Sequence, residues 1–114
     1  MTRPIKTYSG NLTFDLNGTT SSVVDTKNRT LAAISTPATL TNTSLALETS
    51  EDNVTWLPVY KWDGSQVTVT VSASQARFVQ LDLQGTNACR WIRLKGSSQE
   101  AAARTLRYHL RIVR

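Results

Sequence analysis

The chain has 114 residues, 39% of them hydrophobic and only 18% charged, with a formal net charge of +5. That length supports one domain with one modest core, and the aromatic and β-branched content argues against a disordered chain. Ser and Thr take the place that Lys and Glu fill in most domains, which disfavours helix and favours a half-buried strand surface.

Taken in chain order, residues 1–10 read as an extended N-terminal arm. Pro4 biases the backbone before it out of the helical region, Ile5 and Tyr8 have no evident partner strand, and Arg3, Ile5 and Tyr8 are candidate partner contacts. Such an arm either orders on a neighbouring molecule or frays. Residues 11–114 read as a single domain.

Leu12-Thr13-Phe14-Asp15-Leu16 alternates apolar and polar, and Asn17-Gly18 marks a turn. A weaker strand spans Ser21 to Thr26, and another runs from Thr30 to Ser35 until Pro37 stops it. Ser44 to Thr49 follows with Leu45 and Leu47 on one face, then the polar turn Ser50-Glu51-Asp52-Asn53. Thr55 to Lys61 and Gln66 to Ser72 flank Asp63-Gly64, a strong hairpin signal. In the second of these runs the valines face one way and the threonines the other. Arg77 to Leu83 places Val79, Leu81 and Leu83 inward. Arg90 to Lys95 places Ile92 and Leu94 inward and Trp91, Arg93 and Lys95 outward. The only helix-like stretch, Glu100 to Arg104, is too short to stand alone. Thr105 to Val113 sets Leu106, Tyr108, Leu110 and Ile112 against Arg107, His109 and Arg111.

Eight or nine short strands at this spacing predict an all-β antiparallel β-sandwich, jelly-roll-like in form. Asn11, Asn17, Asn28, Asn42 and Asn53 each head an Asn-x-Ser/Thr triplet. Met1-Thr2-Arg3-Pro4 does not open an apolar signal segment, so these triplets are expected to be turns beside Thr-rich strands. No run approaches the length of a membrane span. The protein is expected to be made in a cytoplasm, to stay soluble and to need no membrane.

Catalytic chemistry requires an acid, base, nucleophile or metal in convergent positions. The single histidine, His109, lies mid-strand between Arg107 and Arg111, and two cations beside it disfavour its protonated form. The single cysteine, Cys89, reads as a core thiol, and one Cys with one His does not build the usual structural zinc site. Five glycines are scattered singly, so no phosphate loop forms. The expectation is a non-enzymatic protein with no cofactor and no metal, whose working part is its surface.

The final strand is expected to present Arg107, His109 and Arg111 as a row, joined at its ends by Arg104 and Arg114. Residues 87–114 carry seven basic side chains against one acid, Glu100, while residues 45–85 carry five acids against Lys61 and Arg77. Opposite charge on different parts suits docking to copies of the same chain or to a patterned host surface. The basic residues are not interleaved with exposed aromatics, so nucleic acid is an unlikely partner.

Ser50 to Trp56, Val67 to Ser74, Val79-Gln80-Leu81-Asp82, Arg90-Trp91-Ile92-Arg93-Leu94 and Ala102 to Leu106 together resemble a family of small tailed-bacteriophage proteins. These are head decoration (cement) or head-associated virion proteins. The resemblance covers about residues 30–114 and departs at the 50–53 turn, where Asp-Gly is usual and Asp52-Asn53 stands here. Similar turns and strands occur in jelly-roll carbohydrate-binding and discoidin-like domains. The resemblance implies a structural virion protein on the outer capsid surface, with the major capsid protein and its own copies, as dimer or trimer, for partners. It also implies that a chain lacking residues 1–8 folds but loses capsid occupancy. The alternative is a carbohydrate-binding or phage fibre or tail module, with Trp56, Tyr60, Trp62 and Trp91 as candidate rings for a surface glycan. Trp62, beside Asp63-Gly64, is the most exposed of these on sequence grounds.

Overall fold

A computed structural model describes residues 7–27, 29–71, 75–81 and 88–111. The described residues form nine strands and no helix: β1 (Thr7–Phe14), β2 (Val24–Asp25), β3 (Thr30–Thr36), β4 (Ser44–Ser50), β5 (Leu57–Pro58), β6 (Thr68–Thr70), β7 (Arg77–Gln80), β8 (Trp91–Gly96) and β9 (Arg104–Arg111). One sheet has the order β1-β9-β3-β7, and the second β2-β8-β4-β5 with β6 also on β4. All pairings are antiparallel.

The order has a simple origin. β1 pairs with β9, β2 with β8, β3 with β7, and β4 with β5 and β6. The first half of the chain therefore lies against the second half as one long hairpin, with its bend between β4 and β5. Rolling that hairpin sends successive strands to alternate sheets, which makes the fold a jelly-roll β-sandwich.

The period-two pattern explains what fills the space between the sheets. Leu12, Phe14, Leu31, Ile34, Leu106 and Leu110 point inward from the first sheet, and Val24, Leu45, Leu47, Val69, Ile92 and Leu94 from the second, in one continuous core. Each such side chain contributes about 1.5–3 kcal/mol by leaving water. Val67 and Val71 are buried beside Val69, as the valine–threonine alternation predicts.

Several expectations are corrected. Of the arm over residues 1–10, Thr7 to Gly10 belong to β1, and Tyr8 has a partner strand, standing opposite Leu110. Residues 1–6 lie outside the described residues. Removing residues 1–8 would thus cut into the β1–β9 ladder rather than detach a free arm. Leu16 is exposed because the strand ends at Phe14 and Leu16 sits in the turn. The strand expected over Thr55 to Lys61 shrinks to Leu57–Pro58 plus an isolated bridge between Tyr60 and Gln66. Pro58 has no N–H to give to a ladder, which confines it to an edge. β3 does not alternate cleanly, because its register with β9 shifts between Leu31 and Ala33, a bulge whose extra residue lets Leu31 and Ile34 both face inward.

The largest surprise is Glu100. It is fully buried, and it ties its own loop to two others, through its carboxylate to 41–42 and through its backbone to 17–18. One oxygen accepts the Thr41 N–H at 2.9 Å and the other the Asn42 N–H at 3.1 Å, with the Asn42 side-chain amide on the same carboxylate. Arg104 Nε lies 3.3 Å away. The Glu100 carbonyl accepts from Asn17 N, and its N–H donates to Gly18 O. Asn42 closes the cluster by donating to the Ser98 carbonyl and accepting from the Ser98 N–H. Gly96 is required beside it, since a Cβ there would stand 2.5 Å from the Asn42 amide nitrogen. Burial pushes the Glu100 carboxyl up, but the bonds from Thr41, Asn42 and Arg104 outweigh it and hold the group below its usual range.

Candidate interaction surfaces

The outer face of the first sheet brings together residues from all four of its strands. β9 supplies Arg107, His109 and Arg111. Arg107 stands opposite Asn11 of β1 and Ser35 of β3, and His109 opposite Ser9 and Ala33. β7 supplies Phe78, opposite Ser35 and 59% exposed. Arg107 donates to the Ser9 hydroxyl. His109 Nε2 lies 2.9 Å from Ser35 Oγ, and its ring leans on Phe78 with centroids 4.9 Å apart. Burial, then the Arg107 charge, lowers the His109 pKa. The flanking cations expected to do this are thus the second cause and not the first. Arg111 is half-buried, and its Nε has no hydrogen-bond partner among the described residues. No acidic residue stands on this face among the described residues.

Arg104 leaves the expected row. Strand alternation places it on the inward side with Leu106 and Leu110, and its guanidinium is spent on Glu100. Tyr8 is half-buried beneath the Arg29 guanidinium, 3.5 Å from its ring centroid. Arg3, Ile5 and Arg114 lie outside the described residues. Phe78 was not singled out from sequence, although the signal was present: inward Val79 and Leu81 put Phe78 on the outer side with Gln80.

The second sheet treats its cations differently. Arg93 Nε meets Glu48 Oε1 at 2.7 Å and lies over the Trp56 ring at 4.4 Å. Arg90 Nε meets Asp25 at 3.2 Å and covers the Trp91 ring at 4.4 Å. Trp56 and Trp91 are therefore capped by arginine rather than open as platforms.

Between β5 and β6 a hairpin projects beside β4 at the edge of the second sheet. Lys61 N–H bonds to Ser65 O at 2.8 Å, and Gly64 has φ +91°, a conformation that glycine takes without steric cost. Asp63 accepts from the Ser65 N–H and hydroxyl, which lower its pKa. This leaves Trp62 84% exposed at the tip, with Tyr60, Leu57 and Val54 exposed along the same segment.

Cys89 is buried, and burial raises its thiol pKa, so it sits as a core thiol. Among the described residues no group of three His, Cys, Asp or Glu side chains stands close enough to share a metal ion. No helix among them is long and apolar enough to cross a membrane.

No family model matches the chain. No curated protein matches it either. Among solved structures, a similar chain is the Yersinia pseudotuberculosis-derived mitogen, 15% identical over 96% of this chain and 86% of that one, with a TM-score of 0.36. That likeness carries no functional argument.

Proposed function

We propose that this chain is a structural virion protein that decorates the outer surface of a phage capsid and docks through the outer face of its first sheet. One observation carries the reading. Arg107, His109 and Arg111 share a sheet face that holds no acid among the described residues, together with an exposed Phe78. Arginine and aromatic side chains are the enriched anchors of protein interfaces. A rigid sheet presents them without loss of side-chain order, and an acidic capsid surface would complement them. The chain then works by adding contact area rather than by catalysis. Each copy buries modest area, and many copies, joined as dimers or trimers across neighbouring capsomers, hold the shell against internal pressure.

The test is occupancy on purified capsids. Phe78→Ala and Arg107→Glu are each expected to weaken binding by at least about tenfold, the effect of losing an anchor residue. Their folding should be unchanged. Normal occupancy by the doubly substituted chain overturns the assignment of this face. Loss of occupancy on substituting the Trp62 tip alone would move the contact to the hairpin and favour the fibre or tail alternative.

A further inference from the structure

The outer face of the second sheet holds a shallow groove of about 470 Å³, and the strand register explains its shape. Lys95 of β8, Ala46 of β4 and Thr68 of β6 stand side by side in one cross-strand row. The next row along β4 is Arg93, Glu48 and Pro58. Ala46 is the short residue among taller neighbours, so the sheet surface dips over it. Gln66 closes one side.

The polar groups around this dip are unspent. The side chains of Lys95, Thr68 and Gln66 have no hydrogen-bond or ionic partner among the described residues. Glu48, by contrast, is buried and neutralised by Arg93 at 2.7 Å. Among the described residues the groove therefore carries one unpaired positive charge, a primary amide and the hydroxyls of Thr68, Ser44 and Ser97, around a small apolar floor.

We infer that this groove binds an acidic saccharide, such as a sialic acid or uronic acid unit. The carboxylate of the sugar would meet the Lys95 ammonium, its hydroxyls Thr68 and Gln66, and one face of its ring the Ala46 floor. The volume lies within the roughly 300–1,000 Å³ of ligand sites. Other ligand classes fit less well. An extended peptide pairs along a free strand edge, whereas this groove lies on the sheet face over Ala46 of β4, which is flanked by ladders on both sides. A nucleic-acid strand needs a track of cations with stacking rings, and among the described residues lining the groove there is one free cation. The inference goes beyond the capsid reading, because the groove lies on the opposite sheet from the docking face.

The experiment is an NMR titration of the full chain with sialyllactose and with a glucuronic-acid disaccharide, using lactose and inorganic phosphate as comparators. The expected result is saturable shifts at Ala46, Thr68 and Lys95 with the acidic sugars and none with lactose or phosphate. Lys95→Ala is expected to weaken sugar binding about ten- to a hundredfold, the worth of a charge-assisted hydrogen bond, while capsid occupancy stays normal. Absence of shifts with either acidic sugar up to millimolar concentration overturns the inference. So do equal shifts with lactose or phosphate, shifts centred on the Trp62 tip, and unchanged affinity in Lys95→Ala. None of these outcomes bears on the first-sheet face, which stands or falls by capsid occupancy.

Discussion

The two outer faces of the sandwich use the same side chain in opposite ways. On the second sheet Arg90 and Arg93 each meet an acid and lie over a tryptophan. On the first sheet Arg107 and Arg111 meet no acid among the described residues, and Phe78 lies open beside His109. Both sets come from the same basic stretch of chain. Local charge along a sequence is thus a poor guide to the charge of a face. Jelly-roll winding sends β8 and β9 to different sheets and brings Asp25 and Glu48, both distant in sequence, against Arg90 and Arg93. The arginines of one face are satisfied internally, whereas those of the other keep their charge for a partner.

The contrast depends on the sheets holding their places, and Glu100 ties the loops that fix them. Glu100→Ala strands the Arg104 cation, two backbone N–H groups and the Asn42 amide, so it is expected to cost about 3–5 kcal/mol, read as a fall in denaturant midpoint. Glu100→Gln keeps the shape but turns a donor toward donors, and should cost less. The pH dependence has a definite sign. Glu100 lies below its usual 4.5 when folded, and Asp52, held by the Val54 and Thr55 N–H groups, falls from 3.8 to about 2. Groups lowered on folding stabilise fully above their unfolded values, and that stability is lost as pH falls through the folded ones. Stability should therefore fall below about pH 4.5, and the limb should flatten in Glu100→Gln. A limb of unchanged slope in that variant would remove Glu100 from the account.

A direct comparison of the faces comes next in size. Glu48→Ala leaves a part-buried Arg93 without its acid and is expected to cost about 1–3 kcal/mol of folding stability. Arg107→Ala, on the other face, should change stability by no more than about 0.5 kcal/mol. Equal costs in thermal or denaturant melts would erase the distinction between satisfied arginines and waiting ones.

Much of the fold was legible because alternation is a local signal. The inward valines at 67, 69 and 71, the Asp63-Gly64 hairpin and the inward leucines of β9 follow from period two alone. Their partners do not, since the pairing of β1 with β9 joins residues a hundred positions apart and leaves no trace in either segment. That is why Tyr8 looked unpartnered and residues 7–10 looked like an arm. Glu100 was illegible for the same reason: next to alanines it reads as a solvent-facing turn residue, and only the arrival of Thr41 and Asn42 buries it. The row Arg107, His109 and Arg111 was visible in the alternation. Arg104 was misplaced because its even position, shared with Leu106, was overridden by counting charges.

A smaller effect tests the β4–β5 bend. Asn53 has φ +60°, the left-handed region that Asn enters more readily than other residues with a Cβ. This explains how a residue with a Cβ stands at that point of the turn. Asn53→Ala should cost about 1 kcal/mol, and Asn53→Gly should stay within about 0.5 kcal/mol of the parent chain. A costly glycine would mean the Asn53 side chain holds the turn.

The smallest expected effect is also the most selective between the faces. His109 is the only histidine, and burial, then Arg107, holds its folded pKa below 6.5. The unfolded chain takes up the proton first as pH falls, so stability declines from about pH 6.5 down to the folded value and then levels. The change adds a charge only to the first face, beside Arg107 and Phe78. In an NMR titration from neutral to mildly acidic pH, resonances of Ser35, Phe78 and His109 should move together, while those of Ala46, Thr68 and Lys95 stay still. Replacing His109 with Gln should abolish the movement and the stability slope alike. Movement on the second face in the same pH range would show that the two faces communicate through the core and are not independent.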